Sequence, residues 1–221
     1  GVWLKCGARA ETERNAGISH FIEHLLFKGT RRRSAAKIAA AIDSVGGQLN
    51  AFTEKEYVGF YAKVLDTHLP LAFDLVSDIV LNPAFPADEV ERERNVIFEE
   101  INMVEDSPQE LIFDLFAESF WKNHALGWPI SGTKASVAQI SRDEVKRFFR
   151  TNYHAGNMVV SVAGNIRHRE AQRLAARHFS GVPRGAAAEA ETAPGVHSGR
   201  RVCRKAHLEQ THLCLGTVSP P

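Results

Sequence analysis

Three side chains within five residues, His20, Glu23 and His24, are of the right types to do chemistry together. On an α-helix each residue turns about 100°, so with His20 at zero Glu23 falls near 300° and His24 near 40°. Phe21, Ile22, Leu25 and Leu26 fill the opposite arc. One face is thus ionisable and the other apolar. Two imidazoles four residues apart can hold one Zn2+, and the carboxylate between them can serve as general base towards a water that the metal activates. His-x-x-Glu-His is one of the helical zinc-site signatures.

A third ligand has to come from another element. The segment Ala87–Glu105 reads as a helix with an apolar stripe of Val90, Ile97, Ile101 and Val104. Glu93 and Glu100 lie about 20° apart within that stripe, while Glu99 points roughly 100° away. A carboxylate on a core-facing stripe is costly unless a metal or cation compensates its charge. Glu100 is therefore the expected third ligand. Glu93 is the expected supporting carboxylate, holding a ligand or orienting water; the alternative for Glu93 is a solvated helix charge.

Positioning these groups requires an α/β framework. Gly1–Ala10 reads as a strand, Ser19–Phe27 and Ser34–Val45 as helices, and Gln48–Thr53 with Tyr57–Leu65 as a hairpin. A helical stretch from Thr67 to about Trp121 is broken at Pro83, Pro86 and Pro108, and Asn123–Lys134 reads as a loop. Ser141–Thr151 carries a capping box, Asn157–Gly164 reads as a strand and Arg167–Phe179 as a helix. The expected class is α+β, a mixed, mainly antiparallel sheet covered by helices on one side. Residues 1–181 form the expected metal-binding domain and 182–199, rich in Ala, Gly and Pro, a linker. From 200 to 221, with a strand at Leu208–Thr217, the start of a second domain is expected.

Composition narrows the partners. The 221 residues are 44% hydrophobic and 24% charged, and 27 Lys and Arg against 26 Asp and Glu leave a net charge of +1. That balance gives no electrostatic case for nucleic acid. The longest run free of Asp, Glu, Lys and Arg, Thr151–Ile166, is 16 residues and too polar for a membrane span. Cys6, Cys203 and Cys214 are scattered, so they read as packing thiols of a reducing compartment. Arg31–Arg33 reads as a solvated loop.

HFIEH within Ile18–Thr30, the stretch GGQLNAFTEKE at Gly46–Glu56 and ERERNVIFEEINMVEDSP at Glu91–Pro108 resemble the pitrilysin/insulinase family of zinc metallopeptidases. The similarity is greatest to the branch holding the β subunit of mitochondrial processing peptidase and its bacterial relatives. The resemblance implies a metalloendopeptidase of extended or unfolded peptides. One Zn2+ per chain would sit on His20, His24 and Glu100, with Glu23 as base and Glu93 in support. It also implies that Phe27 walls the pocket after the scissile bond, that Asn50 and Ala51 pair with the peptide as an edge strand, and that Glu110 and Asp114 read a basic side chain. The plainer alternatives are a rim packing residue, an interior strand, and acids drawn to an early helix turn by its dipole. Family members close two homologous halves around the peptide, so a first strand before Gly1 and a C-terminal half or partner subunit, in a homo- or heterodimer, are expected. The expected compartment is bacterial cytoplasm, with the mitochondrial matrix as alternative. A non-catalytic assembly subunit is the alternative function.

Overall fold

A computed structural model describes residues 1–186, 194–206 and 208–218. Four strands form one antiparallel sheet in the order β2-β3-β1-β4, with β1 Val2–Leu4, β2 Gln48–Thr53, β3 Val58–Lys63 and β4 Met158–Val160. β1 is central, pairing Val2 with Phe60 on one side and with Val160 on the other. Its period-two pattern sorts the faces: Val2 and Leu4 are buried, whereas Trp3 between them is exposed. The helices cover the first face alone. Across the second, Trp3 meets Phe52 and Tyr57 edge-on or tilted, at 5.4 and 6.2 Å between ring centroids.

The covering helices are α1 Ile18–Leu26, α2 Ala35–Asp43, α3 Leu69–Leu81, α4 Ala87–Asp106, α5 Pro108–Phe120, α6 Lys134–Gln139, α7 Arg142–Asn152 and α8 His168–Phe179. Prolines set the breaks between α3, α4 and α5, since Pro83 and Pro86 cannot continue a helix and Pro108 opens one at its first position. The capping box at Ser141 forms, Ser141 Oγ accepting the Glu144 N–H while the Glu144 carboxylate accepts the Ser141 N–H. Ile18, Phe21, Ile22, Leu25 and Leu26 of α1 are fully buried between the sheet, α4 and α7. α1 is the central rod of the core.

Several expectations change. The opening strand is short because the chain turns into a 3-10 helix at Ala8–Ala10. The strand expected at Asn157–Gly164 stops at Val160, just before the Ser161 N–H that donates to the Gly1 carbonyl at 2.9 Å. α6, begun by its own capping box at Thr133, falls where a loop was expected to end and nothing beyond it was assigned. The strands expected from Arg201 onwards, including Leu208–Thr217, are absent among the described residues. Leu213 and Leu215, which a half-buried strand would cover, are exposed there. Part of the expected linker, residues 187–193, lies outside the described residues. The arginine run is not solvated throughout: Arg33 Nη1 lies 2.6 Å from the buried carboxylate of Asp78, and Arg32 Nη2 lies 3.2 Å from Asp74, both on α3.

α1 is entered through Gly17, whose φ of +94° is a left-handed conformation. A Cβ there would sit 2.6 Å from the Ser131 carbonyl oxygen, whereas one at Gly46, φ +62°, would meet nothing within 4 Å. Gly46→Ala should cost about 1 kcal/mol for the backbone conformation alone. Gly17→Ala adds a steric clash and should cost roughly 3 kcal/mol or more. Denaturant midpoints check this, and equal losses would show that the Gly17 turn yields freely.

Candidate metal centre

The N-terminus of α1 is held from outside the helix. Gly17 brings no side-chain cap, and its N–H and that of Ser19 donate instead to the two carboxylate oxygens of Glu11, each at 2.8 Å. Glu11 is buried, and burial pushes its carboxyl up to about 7 against the pull of those backbone hydrogen bonds and of Lys55. Sequence reasoning missed this residue. The available signal was negative: a helix without Ser, Thr, Asp or Asn at its start needs an acceptor from elsewhere.

One turn further on, His20 and His24 present their rings together, 4.6 Å apart at 69°. Glu100 reaches them from α4, its Oε2 standing 3.8 Å from His20 Nε2 and 3.5 Å from His24 Nε2. Among the described residues these three side chains are the one group of His, Cys, Asp or Glu able to converge on an ion, their ligand atoms all within 4.8 Å of one another. Tetrahedral zinc with bonds of 2.0–2.2 Å needs donors about 3.3 Å apart. Two nitrogens and one oxygen at these separations fit it and leave a fourth position open. Burial beside His24 lowers the His20 imidazole to about 4, so at neutral pH it is the neutral donor a metal requires.

Glu23 shares this face without belonging to the triad. Its Oε2 accepts a 2.6 Å hydrogen bond from Thr53 Oγ1 at the end of β2. Burial raises its carboxyl above the ordinary carboxylate value; Thr53 and His24 oppose that shift, and Glu100 adds to it. Glu93, 4% exposed, lies on the buried stripe of α4, its Oε2 3.1 Å from His24 Nδ1 and its Oε1 2.7 Å from Lys28 Nζ. Glu99 is exposed and touches Asn102. Thr53 and Lys28 are two further residues that the sequence pattern did not single out.

The remaining expected site residues are spread around this cluster. Phe27 caps the C-terminus of α1, half-buried against the core. Asn50 and Ala51 lie on β2, an edge strand rather than an interior one, and Asn50 Oδ1 accepts the Ala51 N–H at 2.8 Å. Glu110 is exposed in the first turn of α5. Asp114 is half-buried; burial raises its carboxyl, and Lys55, in the β2–β3 turn, draws it back down.

An antiparallel sheet with helices on one side thus carries a His–His–Glu cluster built from α1 and α4, a donor set suited to a divalent metal. Comparison with known proteins agrees. The family model described as insulinase (peptidase family M16) matches residues 1–134, and that of the peptidase M16 inactive domain matches residues 139–221. The chain belongs to the M16, or insulinase/pitrilysin, family. It is 42% identical over 216 residues to the uncharacterised zinc protease YmxG of Bacillus subtilis, covering 98% of this chain and 52% of that protein. It is 44% identical over 229 residues to an uncharacterised zinc protease of Mycobacterium tuberculosis H37Rv, covering all of this chain and 51% of that one. The chain thus spans about half the length of the relatives it matches. Among solved structures, a Helicobacter pylori protease superposes with a TM-score of 0.80 at 25% identity, over 87% of this chain and 47% of that one. Pitrilysin shares the fold, with a TM-score of 0.78 at 23% identity over 89% of this chain and 22% of its own.

Two outcomes test the centre. Replacing His20, His24 or Glu100 with Ala should abolish stoichiometric zinc after dialysis, while Glu99→Ala should keep it; zinc lost through Glu99 instead would put the wrong face of α4 at the metal. The second concerns Glu11. Its carboxyl is raised from 4.5 to about 7 in the fold, so the folded chain binds the proton more tightly. The stability this confers is fully present below about 4.5 and is lost as pH rises from there to about 7. In the metal-free chain it should contribute a slope of at most about 1.4 kcal/mol per pH unit over that window. Glu11→Gln should remove the slope, and an unchanged pH profile would exclude Glu11 as its source.

Proposed function

We propose that this chain is the metal-bearing half of a zinc metalloendopeptidase acting on extended or unfolded peptides. The observation that carries the reading is the Thr53–Glu23 hydrogen bond, which fixes a non-ligand carboxylate beside the His20–His24–Glu100 cluster and ties it to the edge strand β2. Zn2+ on those three ligands, one per chain, would supply Lewis acidity that polarises a carbonyl and brings the pKa of a water towards about 7. Glu23 then has the work of a base. Its raised carboxyl is a better proton acceptor than an ordinary one, and the Oε1 not engaged by Thr53 takes the proton of the attacking water and returns it to the leaving amine. Glu93 keeps His24 oriented through Nδ1.

The peptide would add to the free edge of β2 at Asn50 and Ala51, pairing main chain to main chain with little sequence choice. Phe27 would wall the pocket after the scissile bond. Glu110 and Asp114 would receive a basic side chain, which at Asp114 would compete with Lys55. Residues 1–181 would be the catalytic unit, joined through 182–199 to the start of a second domain at 200–221. A homologous half, in the same chain or a partner subunit, would close the site. The named relatives are bacterial, and no described helix is long and apolar enough to cross a membrane. The scattered cysteines suit a reducing compartment such as a bacterial cytoplasm.

Glu23→Gln keeps the shape of the side chain and its bond to Thr53 but cannot take a proton. With the second half supplied, turnover of an extended peptide should fall by a factor on the order of 10² to 10⁴ while bound zinc stays stoichiometric. Near-normal turnover would remove Glu23 from the chemistry, and loss of zinc would make it a ligand.

A further inference from the structure

The cluster contains a cation that neither the ligand set nor the base uses. Lys28 stands four residues beyond His24, as His24 stands four beyond His20, so the three side chains follow one another along one face at the end of α1. Its N–H donates to the Leu25 carbonyl at 3.1 Å, continuing the last turn, and its ammonium lies 2.7 Å from Glu93 Oε1. The other oxygen of the same carboxylate faces His24 Nδ1 at 3.1 Å. The Glu93 side chain is only 6% exposed, whereas that of Lys28 is 31% exposed. The carboxylate is therefore gripped from two sides in a place that water barely reaches, with Lys28 coming in from the rim.

We propose that Lys28 is a positioning residue for the metal: it locks the Glu93 carboxylate so that Glu93 in turn locks the His24 ring. The inference rests on the zinc reading above. The physical argument is one of rotation. A carboxylate bonded through one oxygen alone can swing about its terminal torsion, whose preference is broad. A second, charge-assisted bond to the other oxygen fixes its plane. That plane decides whether Oε2 accepts from Nδ1 along the ring, which leaves Nε2 as the metal-facing nitrogen. Among the described residues the Nδ1 of the neighbouring His20 is buried without a hydrogen-bond partner, so His24 is the imidazole with an outer hold. Among the described residues, the outer support for the two imidazoles thus runs through Glu93, and from Glu93 to Lys28. A merely structural ion pair between α1 and α4 would tie the helices together and leave metal affinity alone.

The two roles separate on three chains measured side by side: unsubstituted, Lys28→Met and Lys28→Arg. Zinc affinity is read by competition with a chromophoric chelator at fixed pH, and folding stability by denaturant on the metal-free form. Lys28→Met should bind zinc 10- to 100-fold more weakly, the usual loss when an outer partner of a ligand is removed. Lys28→Arg, which keeps a donor on Glu93, should recover most of that affinity. Unchanged affinity in Lys28→Met would overturn the proposal, whatever its stability. So would a loss matched by unfolding of the metal-free form and not recovered by Lys28→Arg. No stoichiometric zinc in the unsubstituted chain would overturn the metal reading itself, which is a distinct failure.

Discussion

Helix α1 must bury one face completely while the other carries three ionisable groups, and the rest of the structure answers that constraint. Ile18, Phe21, Ile22, Leu25 and Leu26 leave no exposed apolar surface, so the helix cannot rotate or slide without pulling Leu or Phe into water, at roughly 2 kcal/mol for each such side chain. That rigidity is what a metal site requires, since ligands displaced by half an ångström no longer converge. The two ends are fixed separately. Glu11 takes the orphan N–H groups at the start, and the Lys28–Glu93 pair clamps the finish to α4.

Charge explains why the other groups gather here. Glu23, Glu93 and Glu100 bring three formal negative charges and Lys28 one positive, all in contact with one another or with His24 or Thr53. The formal excess of two is the charge of one divalent cation. Without it the carboxylates repel, which is the direction in which Glu100 pushes the Glu23 carboxyl. Such a cluster is poor packing and a good site, the sense in which sequences break the rules of stability where they have chemistry to do.

What the sequence revealed and what it hid divide by range. The helical faces of HFIEH and of Glu93, Ile97 and Glu100 are written within a dozen residues, so the convergence of His20, His24 and Glu100 could be read from periodicity alone. The hairpin at β2 and β3 and the Ser141 capping box are equally local. Glu11, Lys28 and Thr53 are different in kind. Each acts through a partner fixed by the fold, Glu11 on a helix start across a turn, Thr53 on α1 from the sheet, Lys28 on α4, and no spacing announces such a pairing. Local alternation also suggests strands near 161–164 and 208–217, where none is present among the described residues. Their alternation is genuine, but a strand exists only where a neighbour accepts its hydrogen bonds.

β2 shows how a free edge can be both protected and available. An unpaired strand edge invites association with other chains, and here the Ala51 N–H is met by the side chain of the residue before it, Asn50. An arriving peptide would therefore exchange one hydrogen bond for another at that position instead of satisfying an open donor, and such exchanges are close to neutral in free energy. Affinity for an added strand then has to come from the sum of several rungs and from side chains covered beside them. A single short contact would not hold. On the proposed reading, extended segments long enough to make the whole set would be favoured, folded chains that cannot surrender their backbone would be refused, and each fragment of a cut peptide would keep only part of the set and leave.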